Sequence, residues 1–94
     1  MVKYICLLRF TEQGAKNLKK SISRAHNFDK LAAKSGVKVD KQLWTIGEFD
    51  GVLVLSAENE AKVLHLLATL AAMGNVSTST LRAFDAKEFS KILK

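Results

Sequence analysis

Between Tyr4 and Phe10 the chain is apolar on both of its alternating faces, with Tyr4, Cys6, Leu8 and Phe10 on one side and Ile5 and Leu7 on the other. A strand of that kind belongs inside a sheet covered on both sides, whereas a half-wet strand would alternate apolar with polar. Whatever the chain folds into must therefore cover two faces of its first strand, and 94 residues leave little material for the task. A core of that size is complete as one domain, residues 1–94, which buries roughly two-thirds of the surface its unfolded chain exposes.

The remaining pattern alternates between the two periodicities. Thr11 is placed to cap a helix, and Ala15, Leu18, Ile22, Ala25 and Ala32 recur at helical spacing along one stripe. Asp29 falls on that stripe, which predicts a kink or a fresh N-cap near Asn27-Phe28-Asp29, and Gly36 closes the segment. Val37–Ile46 reads as a second strand and Val52–Ala57 as a third, with Gly47-Glu48-Phe49-Asp50-Gly51 turning between them. Asn59 caps a helix running to Met73, ended by Gly74-Asn75. Val76–Phe84 is a fourth strand, and Asp85 with Glu88 three residues later gives a capping-box start to a short terminal helix.

The order β-α-β-β-α-β predicts an α+β fold of the ferredoxin-like kind: a four-stranded antiparallel sheet, two helices on one face and a short C-terminal helix. The opposite sheet face is then bare. Its apolar surface, enlarged by Trp44, Val52 and Val54, predicts an interaction surface whose simplest cover is a second copy of the chain. The second helix points the same way. Between Val63 and Met73 only His65 and Thr69 are polar, so its apolar arc covers about two-thirds of the circumference. Either a further contact through this helix builds an assembly larger than a dimer, or Ala61, Ala68, Ala71 and Ala72 are too small to need cover.

Composition narrows the function classes. With 48% hydrophobic and 26% charged residues and no proline, the chain is no disordered tail or low-complexity linker. A single cysteine, Cys6, cannot form an intrachain disulfide. Cys6, His26 and His65 lack the close spacing of a zinc site, so no metal and no cofactor is expected. The N-terminal apolar run ends at Arg9, too short for a signal-peptide core, and Val63–Met73 is too short to span a bilayer; a cytoplasmic protein is expected. The net charge of +6 is uneven: residues 1–47 hold ten Lys/Arg against three Asp/Glu, residues 48–94 five against six. That asymmetry raises anionic partners without selecting one.

Three arginines stand out. Arg9 ends the first strand, Arg24 lies on the first helix, and Arg82 interrupts an otherwise neutral fourth strand. Together they suggest an anion-holding set at a cleft mouth; separately, each is open to pairing with a local acid such as Glu48, Asp50 or Asp85. Trp44, Phe49 and Asp50 gather near the hairpin as an aromatic platform beside a carboxylate, suited to an amine or hydroxyl group, or simply as core and turn residues. Gly14, in the first helical turn, admits close approach of a ligand or of another backbone segment. Lys16, Lys19, Lys20, Arg24, Lys30 and Lys34 make a basic helix face. It lacks aromatic stacking residues, so a nucleic-acid partner is not expected. His26 and His65 have no dyad partner, and Ser77–Thr80 lies mid-strand without a nucleophile elbow. No catalytic constellation survives.

Several segments resemble the GYD domain family: Phe10-Thr11-Glu12-Gln13-Gly14-Ala15-Lys16-Asn17, then Ser21 and Arg24, Trp44-Thr45-Ile46-Gly47-Glu48-Phe49-Asp50, and Gly74-Asn75-Val76-Ser77-Thr78-Ser79-Thr80-Leu81-Arg82-Ala83-Phe84. They cover nearly the whole chain in order. The resemblance implies a subunit of the dimeric α/β-barrel kind, in which two sheets meet face to face, and no settled activity. The family's Gly-Tyr-Asp is departed from here: Phe49 stands where the resemblance implies tyrosine, so the ring remains and the phenolic O–H is lost. The resulting expectation is a homo-oligomeric module binding a small, anionic ligand through Arg9, Arg24, Trp44, Phe49, Asp50 and Arg82. The alternatives are a cofactor-free enzyme of the dimeric α/β-barrel kind (monooxygenase or isomerase-like) and, behind it, an RNA-binding module.

Overall fold

A computed structural model describes residues 1–94. The elements are β1 (Val2–Phe10), α1 (Glu12–Lys16), a 3-10 turn at Leu18–Lys20, α2 (Ser21–Lys34), β2 (Val37–Trp44), β3 (Gly51–Ala57), α3 (Glu60–Ala72), β4 (Val76–Ala83) and α4 (Ala86–Ile92). The four strands form one antiparallel sheet in the order β2-β3-β1-β4. This is the α+β, ferredoxin-like arrangement that the order of periodicities indicates. With β1 inside, its Cys6 stands opposite Leu53 on one neighbour and Thr80 on the other.

The core lies between one sheet face and α2 and α3. Cys6, Leu53, Leu55 and Ala57 from the sheet meet Phe28 and Ala32 of α2 and Val63, Leu66 and Leu67 of α3, all buried. The other face gathers Ile5 and Leu7 of β1 with Val52 and Val54 of β3, Leu43 of β2 and Leu81 of β4. Leu43 and Leu81 keep 54% and 51% of their surface exposed. A shortest axis of 17 Å fits a sheet with one helix layer and no third. The second apolar face of β1 therefore has no cover within the chain.

Two expectations are corrected. Trp44 lies on the helix side, not on the bare face: it pairs with Gly51, itself opposite Leu8, and its Nε1 donates to Ser21 Oγ at 2.8 Å. The cause is a β-bulge between Val39 and Lys41. Simple alternation from Val37 and Val39 would point Leu43 at the helices, but the extra residue, Asp40, reverses the sides beyond it. β2 also stops at Trp44, leaving Ile46 fully exposed.

The second correction concerns the first helical segment. It breaks at Asn17–Lys20, not near Asn27–Asp29, which lie within continuous α2. A 3-10 turn advances about 120° per residue against 100° in an α-helix, so the phase slips. Phe28 and Ala32 become the buried stripe, while Ala15, Leu18 and Ile22 face solvent and Asp29 is exposed with no strain.

The entry to α1 is tied to the exit from α3. Thr11 Oγ1 accepts from Gly14 N at 3.1 Å and donates to Gly74 O at 2.6 Å, and Thr11 N donates to Asn75 O at 3.1 Å. Gln13 Nε2 donates to Met73 O and Asn75 Oδ1, both at 3.0 Å. Gly74 ends α3 with φ +78°, in the left-handed region that favours glycine. Of the alternatives at Gly14, the structure shows backbone approach: a Cβ there would lie 2.0 Å from Asn75 O.

At the far end, the capping box of α4 is present, with Glu88 N donating to Asp85 Oδ1 at 2.8 Å and Asp85 N to Glu88 Oε1 at 3.1 Å. Lys3 Nζ bridges both carboxylates, at 2.7 Å to Asp85 and 3.1 Å to Glu88. The Lys3 hydrogen bond holds Asp85 below its ordinary value. For Glu88 the Asp85 backbone N–H is the larger cause, followed by Lys3. The Asp85 and Glu88 hydrogen bonds raise Lys3 in turn.

Gly14→Ala is expected to lose about 1–3 kcal/mol of stability in urea unfolding, although alanine is the better helix former; a neutral or stabilising result would show that Asn75 yields. Because both α4 carboxylates are depressed in the folded chain, their contribution is full above the ordinary carboxylate range and disappears as the pH falls through the lowered values. Cα secondary shifts of Ala86–Ile92 should therefore move toward coil below roughly pH 4 while those of β1 and β3 hold. α4 shifts that stay unchanged well below that pH, while the sheet is still folded, would show the Lys3 bridges to be idle.

Candidate functional site

The junction of α1 with α3 and the reversed end of β2 together wall off a cavity of about 340 Å³ on the helix side of the sheet. Its apolar walls are Leu8 and Phe10 at the end of β1, Phe28 of α2, Trp44 of β2, and Leu70 and Met73 at the end of α3. Among its lining residues only Arg24 and Asp50 are charged; Ser21, Asn27, Gln42 and Asn75 supply further polar groups.

Each of the two charges is anchored before any ligand arrives. Arg24 donates to Asn17 O at 2.7 Å and to Gly14 O at 3.3 Å. It thereby gives the Asn17 carbonyl a second donor beside Lys20 N, which reaches it at 2.9 Å, and ties α2 to the end of α1. A guanidinium has five N–H groups, so three remain for other acceptors. Asp50 is stitched to the end of β1: its N donates to Leu8 O at 2.7 Å, and its Oδ2 accepts from Phe10 N at 2.8 Å. The loop before it is closed by Thr45, whose N donates to Asp50 O at 2.9 Å and whose Oγ1 donates to Phe49 O at 2.6 Å. Two charges held on backbone cost little conformational entropy when a third group joins them.

Of the six residues singled out in the sequence, the fold gathers Arg24, Trp44 and Asp50 at this cavity. Arg9 and Phe49 pair elsewhere. The Arg9 guanidinium lies 4.6 Å from the Phe49 ring centroid, bridges to Glu48 Oε1 at 2.8 Å and donates from Nε to Glu48 O at 3.0 Å. This exposed clasp braces the β2–β3 turn through local pairing. Arg82 stands opposite Tyr4, at the other end of β1 from the cavity. Its guanidinium covers the Phe84 ring at 4.3 Å and donates to the Lys3 and Ala83 carbonyls. The three arginines thus occupy three places, two satisfied by carbonyls and one by an acid.

Sequence reasoning missed Gln42, Asn27 and the side chain of Asn75 as cavity residues. No motif spacing could have found them, since the bulge at Asp40 decides the side on which Gln42 falls. Elsewhere His26 and His65 are exposed, and no group of three His, Cys, Asp or Glu residues is placed to hold a metal. Cys6 is fully buried, and burial pushes its thiol up, partly offset by the Thr80 hydroxyl at 3.7 Å. Tyr4 is raised first by desolvation and then by its hydrogen bond to Glu60 at 3.1 Å. No helix is long and apolar enough to cross a membrane.

A thiol both buried and raised is a poor nucleophile. Cys6 should react with a soluble disulfide reagent ~10³-fold or more slowly in the native protein than in urea, reflecting the rarity of the open state. Rapid native labelling would mean that the middle of β1 opens locally.

With this geometry in hand, comparison with known proteins is informative. A family model described as "GYD domain" matches residues 4–93. A curated protein of Thermus thermophilus, named "Glutamine synthetase and cystathionine beta-lyase binding protein", is 34% identical over 95 residues, covering 100% of both chains.

Proposed function

The chain belongs to the GYD domain family, and from that premise we propose that it is a cytoplasmic, homo-oligomeric binding and regulatory module rather than an enzyme. The observation that carries this reading is the cavity of about 340 Å³, whose lining joins Arg24, Trp44 and Asp50. That is the size and character of a small-molecule site: apolar walls with a few fixed polar groups. It contains no histidine or cysteine, and its one hydroxyl, that of Ser21, accepts from the Trp44 indole. The chemistry available there is recognition.

The open sheet face supports self-association. Ile5, Leu7, Val52 and Val54 form an apolar centre that a second copy would cover, sheet against sheet. The relative named for binding two enzymes extends the reading to protein partners of that sort. α3 offers a surface for them, because Ala61, Leu64, Ala68 and Ala71 face outward, Leu64 at 69% exposure. Ligand in the cavity, a second copy on the sheet and an enzyme on α3 would then be three linked events in a regulatory module.

Native mass spectrometry of the purified protein tests the assembly. A dimer or higher multiple carrying a reproducible small extra mass is expected, and Val54→Asp should return monomers by placing a charge at the centre of the sheet contact. A wild-type monomer without added mass would remove both the sheet interface and the resident ligand.

A further inference from the structure

We infer that the cavity takes a small organic monocarboxylate with an apolar body about the size of an aromatic ring and an O–H or N–H donor. This rests on reading the cavity as a binding site and names the chemistry that fits it.

Three observations carry it. The first is charge. In a chain of net charge +6, the cavity lining holds one cation and one carboxylate, Arg24 and Asp50. A ligand with one negative group satisfies Arg24, and a dianion such as a phosphate ester would bring its second charge toward Asp50 with no second cation to offset it. The second is the state of those two groups. Arg24 is fixed by the Asn17 and Gly14 carbonyls, with N–H groups left for a carboxylate in the paired geometry guanidinium favours. Asp50 spends Oδ2 on the Phe10 amide and leaves Oδ1 to accept from a donor. The third is the space itself. About 340 Å³ holds about eleven groups of water size at ~30 Å³ each. Phe10, Phe28, Leu70 and Met73 line it, which suits a ring and not a sugar or polyol.

Trp44, the one tryptophan of the chain, lines this cavity, so its fluorescence reports occupancy of the full-length protein directly. We would titrate with four probes of related body: 3-(4-hydroxyphenyl)propanoate, 3-phenylpropanoate, 3-phenylpropan-1-ol and 3-phenylpropyl phosphate. The hydroxylated carboxylate is expected to bind tightest, at least ten-fold tighter than the alcohol and tighter than the phosphate. Arg24→Gln should erase the carboxylate's advantage over the alcohol, and Asp50→Asn should remove most of the gain from the phenolic hydroxyl. Because Arg24 also braces α1, Ala25→Leu serves as the second variant: it fills the cavity, leaves the Arg24 bonds in place and should abolish the response to every probe. Alcohol or phosphate binding as well as the carboxylate would overturn this ligand class and keep the cavity as a site. Silence from all four probes, or responses that survive Ala25→Leu, would remove the site itself.

Discussion

β1 is hydrogen-bonded along both edges and apolar on both faces, and the rest of the molecule follows from covering it. β3 and β4 satisfy its backbone, in register from Val2 to Phe10. α2 and α3 bury the side that carries Cys6. Nothing of comparable size remains for Ile5 and Leu7, because a chain of 94 residues supplies one helix layer only. The open face is thus a consequence of chain length acting on a two-sided strand. It is also the feature on which the proposed second copy rests.

The cavity has a different origin. It exists where the helix layer fails to reach the end of the sheet, and three local devices keep it open. Gly14 brings the α1 backbone against Asn75, closer than any side chain would allow. Arg24 ties α2 to the Asn17 and Gly14 carbonyls at the end of α1. The bulge at Asp40 puts Trp44 on the helix side of the sheet, where its half-exposed indole bonds to the first residue of α2. Each device belongs to the fold's own stability, and each also leaves a polar or aromatic group facing the same space. The residues that line the cavity are ones the fold itself needs, which explains why no motif advertises it.

The β2–β3 turn shows the same economy. Its Phe49 ring lies beneath the Arg9 guanidinium, and Glu48 closes the pair. Such a clasp uses the face of the ring and needs no phenolic hydroxyl. Asp50, the neighbouring residue, faces the cavity instead and binds the end of β1. Residues adjacent in sequence therefore serve different contacts, Phe49 the exposed clasp and Asp50 the cavity.

Periodicity, caps and turn chemistry were enough to determine the element order, the two-faced first strand, the caps at Thr11, Asn59 and Asp85, and the bare sheet face, because each depends on neighbours within a few residues. Arg24, Trp44 and Asp50 were legible as chemistry, being the residue types that hold anions, stack and accept hydrogen bonds. Their convergence, and the separation of Arg9, Phe49 and Arg82 from them, was decided by tertiary structure. A one-residue bulge reverses which side of a strand a side chain occupies, and a 3-10 turn rotates the stripe of the helix after it. Neither leaves a mark in a pattern read at fixed spacing. Both arise because the strand pairing and the α1–α3 junction must be satisfied together, and that is a condition on the folded chain as a whole.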